Sequence, residues 1–142
     1  MNSSNDTLIL TSNKKIIRIN NKGDKIILDL DDMSIRTRLQ DMYDKLDSYI
    51  AKIRAAKNDE EQYKYSMEMS KTAVKVIDEI FGENTSIKLF GNNSPTLNLI
   101  YEFATKLSDL FIKYIKEKNS SIEKMVNISN KVNNNKYLRR QR

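Results

Sequence analysis

The amino-acid sequence predicts a mostly α-helical protein, a small bundle of three to four helices with an N-terminal β-hairpin. Two β-branched runs, KKIIRIN and KIILDLDD, flank the turn residues NKGD, and most later apolar residues recur at steps of three and four. The 142 residues include only three glycines and one proline. A chain with so few helix breakers can form long helices.

The hairpin is predicted over about residues 14–31, because Asn and Gly tolerate the positive φ of a tight turn. An isolated two-stranded ribbon is marginal in water, so it must pack on the helices or add strands from a neighbouring copy. Asp29, Asp31 and Asp32 resemble the start of a calcium loop. The glycine and glutamate that such loops require further on are missing, so the cluster is predicted to lead into the first helix.

The first helix is predicted over about residues 34–56, capped by Ser34, with one apolar stripe along its length. Asn58 then offers a break and a new cap for a second helix over residues 59–81, whose broader stripe implies contact on two sides.

A third helix is predicted over about residues 96–118, after the only proline. Residues 120–132 continue the pattern and predict either an extension of it or a short fourth helix. Residues 1–132 are expected to form one domain, and residues 133–142 a flexible basic tail.

Two Phe-Gly pairs, nine residues apart, join the second and third helices. The first glycine is predicted to end the second helix with a positive φ, and TSIKLF to make about one turn, capped by Thr85 or Ser86 and ended by the second glycine. Both phenylalanines are expected to be largely buried. The residues assigned to this structural connector are Phe81, Gly82, Phe90, Gly91 and Pro95.

The composition argues against an enzyme. Without Cys or His, the chain lacks thiolate and imidazole ligands, cysteine nucleophiles and the usual acid/base group near neutral pH. The connector glycines lack the spacing of a phosphate-binding loop. No catalytic, metal or cofactor site is therefore predicted. No apolar run reaches the ~20 residues that a bilayer needs. The N-terminus does not fit a secretory signal.

The net charge of +6 is concentrated at the C-terminus. Residues 113–142 hold nine Lys or Arg and two Glu, whereas the other 112 residues hold sixteen basic and seventeen acidic side chains. A solvated tail, docking to an acidic partner and nucleic-acid binding are all compatible with this pattern. Nucleic acid is disfavoured because the basic residues are not interleaved with aromatics on a folded face. The basic residues of the tail are Lys136, Arg139, Arg140 and Arg142.

The order V-x-D-x-I-F-G-E-x-T-S-x-K-x-F-G over residues 76–91 resembles a family of small proteins from tailed phages and prophages of Gram-positive bacteria. These proteins are described as tail assembly chaperones. The resemblance implies a protein that works in the bacterial host cytoplasm, coats the tape-measure protein and helps tail-tube subunits gather on it. The alternatives are a structural component retained in the virion tail and a nucleic-acid-binding phage regulator.

A client helix with exposed apolar heptads would need a groove lined by adaptable side chains. Stripes of Met and Tyr are more often core than binding surface, but they supply the candidates here, and association with further copies of the chain is left open. The candidate partner-binding residues are Met42, Tyr63, Tyr65, Met67 and Met69.

Overall fold

The computed structural model describes the backbone of residues 5–140 and the side chains of residues 5–119 and 124–126. It confirms a mostly helical fold with an N-terminal antiparallel hairpin. The elements are β1 (Lys14–Arg18), β2 (Lys25–Asp29), α1 (Met33–Arg54), α2 (Asp59–Phe81), α3 (Thr85–Phe90) and α4 (Leu97–Arg140).

The chain divides into two compact units, Met1–Glu102 and Phe103–Arg142. The first contains the hairpin, α1, α2, α3 and the beginning of α4, and the second contains the rest of α4. In the first unit α1 packs against α2, and α2 against α3. The buried apolar side chains of the first unit are Ile26, Leu28, Leu39, Met42, Leu46, Met69, Ala73, Ile77 and Ile100, and those of the second are Ala104 and Leu107.

The hairpin turn is held by Asn20. Its side-chain Oδ1 accepts hydrogen bonds from the backbone N–H groups of Lys22 (2.9 Å) and Asp24 (3.2 Å), an arrangement typical of Asx turns. Gly23 has a φ of 93°, which the predicted turn required. The inward face of β2 is fully buried, whereas the inward face of β1 is only half-buried.

The first helix begins at a different cap from the predicted one. Asp32, not Ser34, is the N-cap, and its Oδ1 accepts from the backbone N–H of Ser34 at 2.9 Å and from the hydroxyl of Ser34 at 2.6 Å. An ionised carboxylate is the stronger acceptor of the two. These bonds hold the pKa of Asp32 below its ordinary value. The acidic turn does lead into α1, as expected.

The second helix has the predicted bounds. Asn58 is its N-cap and accepts a 2.8 Å bond from the backbone N–H of Glu61. Three acidic residues in the first turn complement the positive end of the helix dipole. Local capping signals were sufficient here because they coincide with the start of the apolar stripe.

The third helix is longer than predicted. α4 runs for 44 residues through Arg140. Residues 120–132 therefore extend the third helix, one of the two predicted alternatives, rather than forming a separate fourth helix. Residues 133–140 continue the same helix where a flexible tail was expected. The Asn and Ser residues in this stretch lower helix propensity by only fractions of a kcal/mol each, about 0.5 on common scales. No Gly or Pro occurs after Pro95 to stop the helix.

Candidate functional site

The connector between α2 and α4 is shaped by its two glycines. Gly82 has φ 115° and ψ 153°, and Gly91 has φ 77° and ψ 4°, so the positive φ predicted for Gly82 is confirmed. Between them, Asn84 at φ 67° is the N-cap residue of α3 and makes no side-chain capping bond. The predicted caps, Thr85 and Ser86, lie inside α3 instead. The two similar Phe-Gly pairs therefore stop the chain in different conformations.

Three side-chain bonds tie the connector to the rest of the first unit. Asp78 Oδ1 accepts from the Ser86 backbone N–H at 2.8 Å. Ser70 Oγ, which is buried, donates to the Pro95 carbonyl at 2.8 Å. Asn20 of the hairpin turn donates through Nδ2 to the Lys88 carbonyl at 3.1 Å. The connector thus links α2 to the hairpin through these hydrogen bonds.

The buried side chains of the connector are not the predicted ones. Phe81 and Phe90 are half-buried rather than largely buried. Thr85, Ser86 and Pro95 are the buried residues instead. The small side chains of Thr85 and Ser86 are buried where α3 packs against α2. The sequence did not predict the burial of Thr85 and Ser86, because hydroxyl side chains carry no hydropathy signal.

The five candidate partner-binding residues do not form one surface. Met42 and Met69 are fully buried in the core, so their assignment to a binding groove is wrong. Their helical spacing placed them on the faces where α1 and α2 pack together, as is common for Met stripes. Tyr63 is 67% exposed, and Tyr65 and Met67 are half-buried. Tyr63 and Met67 lie four residues apart on one face of α2, and we call these two residues the α2 patch.

A cation–π cluster involves Tyr65, which is two residues from Tyr63 and therefore points to a different side of α2. Lys52 Nζ of α1 lies 4.8 Å from the centre of the Tyr49 ring and 5.8 Å from that of Tyr65. The Tyr65 hydroxyl donates to Glu61 Oε1 at 3.3 Å, and the charge of that carboxylate raises the pKa of Tyr65. Tyr65 is therefore fixed in place.

A second apolar surface lies on the hairpin, where the sequence did not single it out. Ile16 and Ile27 stand opposite each other on the outward face, 68% and 56% exposed. The three apolar residues that precede β1, Leu8, Ile9 and Leu10, are 80–89% exposed. The runs KKIIR and KIILD place isoleucines on both faces, so alternation could not identify the buried one.

The basic tail contributes no described side chain. Lys136, Arg139 and Arg140 belong to α4 but their side chains are outside the described part, and Arg142 lies beyond the described residues altogether. Among the described residues, no three acidic, Cys or His side chains gather closely enough to hold a metal ion. Within the described part, no helix combines the length and apolar character that crossing a membrane requires.

These features define a mostly helical protein with a hairpin, a braced connector and two exposed apolar surfaces. Residues 22–142 match a protein family described as a family of unknown function (DUF6673), and the chain belongs to it. No curated protein and no solved structure matches the chain.

Proposed function

We propose that this protein is a non-enzymatic phage tail assembly chaperone that binds the tape-measure protein, the tail-tube protein or both in the cytoplasm of the bacterial host. The observation that carries the proposal is the α2 patch, where Tyr63 stands largely in solvent. Met67 follows it by four residues and so lies on the same helical face. The double Phe-Gly connector resembles that of phage tail assembly chaperones, and this resemblance suggests tail assembly as the process in which the protein acts.

The chemistry of the α2 patch suits an apolar helical client. Tyrosine offers a large, rigid contact surface with a polar tip, and methionine adapts its shape to different partners. Client helices of this kind present apolar residues at steps of three and four. Glu60 and Lys64 border the same surface and would set the orientation of a charged client.

Co-expression with the tape-measure protein of the same phage tests the proposal. Wild-type protein should move that client from inclusion bodies into a soluble complex, which should survive raised salt because its contacts are mainly apolar. Tyr63→Asp should lose this activity. Tyr101→Asp is the matched control, because Tyr101 is 58% exposed on a different helix. Circular dichroism should show both variants folded, and an insoluble client beside folded wild-type protein would refute the proposal.

A structural tail component is the second candidate, favoured by the exposed Ile16–Ile27 pair on the hairpin. Edges and faces of small sheets are common joining surfaces in assemblies. Mass spectrometry of purified particles separates the candidates, because a component is present in stoichiometric amount and a chaperone is absent.

A nucleic-acid-binding regulator is the third candidate and rests on the basic residues of the C-terminal part. Its signature would be binding to DNA or RNA with an affinity that falls steeply as salt rises. The salt response therefore distinguishes it from the chaperone, whose complex should be nearly insensitive.

A further inference from the structure

The outer edge of β1 is open for pairing. Ile19 N–H donates to the Asp24 carbonyl at 3.0 Å and Leu30 N–H to the Asn13 carbonyl at 3.1 Å, which fixes the odd-numbered residues of β1 as those bonded to β2. In an antiparallel ladder the alternate residues point their backbone groups outward. The N–H and C=O groups of Lys14, Ile16 and Arg18 therefore face away from β2.

The burial of the hairpin identifies β1 as its uncovered strand. On the inward face, Ile26 and Leu28 of β2 are buried, whereas Ile17 of β1 is only half-buried. On the outward face Ile16 is exposed. Both faces of β1 thus retain apolar surface that a neighbouring strand would cover.

The segment TLILT, residues 7–11, has the properties of such a strand. It is rich in β-branched and aliphatic residues, carries no charge and matches β1 in length. It belongs to no helix or strand, and its apolar side chains are almost fully exposed.

In this structure the segment does not fold back onto its own β1. A two-residue hairpin through Ser12 and Asn13 needs at least one positive φ. Among the described non-glycine residues, only Asn84 has a positive φ. Asn13 is instead bonded to Leu30, which continues the direction of β1.

We propose that two copies of this chain associate through antiparallel pairing of residues 8–18, so that TLILT of each copy adds to the open β1 edge of the other. The twofold axis passes near Asn13, Leu10 lies opposite Ile16, and Ile9 lies opposite Ile17. One continuous ladder then satisfies both edges, as expected of a closed dimer. The result is a four-stranded sheet, which is more stable than an isolated ribbon.

The alternation of residues along the strands and the positions of the charged side chains determine which residues lie opposite each other. Alternation allows only an even-numbered residue opposite Ile16. A shift of two residues would place Leu10 opposite Lys14 and gain only an exposed pair of Asp6 with Arg18, which contributes little. Pairing β1 with β1 about Ile16 would place Lys14 opposite Arg18 twice, and like charges in that position are unfavourable.

Disulfide trapping tests the pairing directly, because the chain contains no cysteine. Leu10→Cys protein mixed with tagged Ile16→Cys protein should form a cross-linked heterodimer, since opposed residues have Cα atoms about 5.5 Å apart. Ile27→Cys is the matched control: it is also exposed, but one strand further away at roughly 10 Å, beyond disulfide reach. Leu8→Cys with Ile16→Cys reports the shifted register.

Predominant cross-linking of positions 10 and 16 supports the proposal. Equal cross-linking with position 27, or predominant cross-linking of positions 8 and 16, overturns it. Sedimentation equilibrium of the full chain gives an independent readout. Wild-type protein should have twice the 16.6 kDa monomer mass, Leu10→Val should keep it, and Leu10→Pro should shift toward the monomer with an unchanged circular dichroism spectrum because it removes an inter-copy N–H. A monomeric wild-type protein overturns the proposal and leaves the edge to another partner.

Discussion

Gly82→Ala and Gly91→Ala should lower the free energy of unfolding by different amounts, although the two Phe-Gly pairs look alike in the sequence. Neither replacement is limited by space. An added Cβ at Gly91 would meet nothing within 4 Å, and one at Gly82 would meet only Thr85 Oγ1 at 3.8 Å, an ordinary contact. The difference in stability should therefore come from the backbone alone.

The backbone conformations set the magnitudes. Gly91 is left-handed, where an L residue costs about 1–2 kcal/mol. Gly82, at φ 115° and ψ 153°, occupies a region that is essentially restricted to glycine, where we expect a cost near the upper end of about 1–3 kcal/mol. Alanine recovers about 0.4–1 kcal/mol by restricting the unfolded chain. We expect net losses of about 1 kcal/mol for Gly91→Ala and about 2 kcal/mol for Gly82→Ala.

Urea unfolding followed by circular dichroism measures both losses, and a thermal midpoint shift of about 3 °C per kcal/mol should accompany them. Asparagine provides a further contrast, because it visits the left-handed region more readily than alanine does. Gly91→Asn should therefore be milder than Gly91→Ala, whereas Gly82→Asn should be no better than Gly82→Ala. If Gly82→Ala loses no more stability than Gly91→Ala, the backbone argument is wrong.

Three further predictions concern single side chains. Ser70→Ala should lower the free energy of unfolding by about 1–2 kcal/mol, because it leaves the buried Pro95 carbonyl without its donor. The control Ser66→Ala, at a half-buried position on the same helix, should be neutral or slightly stabilising in the same urea titration. Burial raises the pKa of Tyr43 to about 12 from 10.0, so the unfolded chain ionises first and stability should fall as pH rises through that window. Tyr43→Phe should flatten this loss in parallel unfolding curves, and identical curves would contradict it. Ser34→Ala should raise the pKa of Asp32 in an NMR titration, because the hydroxyl bond is the largest cause of its lowered value; an unchanged pKa would refute that cause.

Local signals in the sequence predicted most of the fold. Asn58 marks the start of α2 because a short polar side chain there satisfies a free N–H, an effect confined to one turn. The positive φ of Gly82 followed in the same way from its place after the last apolar residue of α2.

The candidate surface was harder to predict because it depends on which faces of the helices pack against each other. Met67 and Met69 are two residues apart on α2 and therefore point to different sides of the helix, and of the two only Met69 lies in the core. Helical periodicity gives the direction of a stripe but not the position of its rim. The two isoleucine-rich strands carry the same ambiguity, since both faces of β1 read as apolar.

Light scattering during dilution of the denatured tape-measure protein tests the proposed chaperone function most directly. Purified wild-type protein at equimolar ratio should suppress the scattering, Tyr101→Asp should suppress it equally, and Tyr63→Asp should not, because only the last variant places a charge in the α2 patch. Scattering that rises as fast with folded wild-type protein as without it would contradict the account.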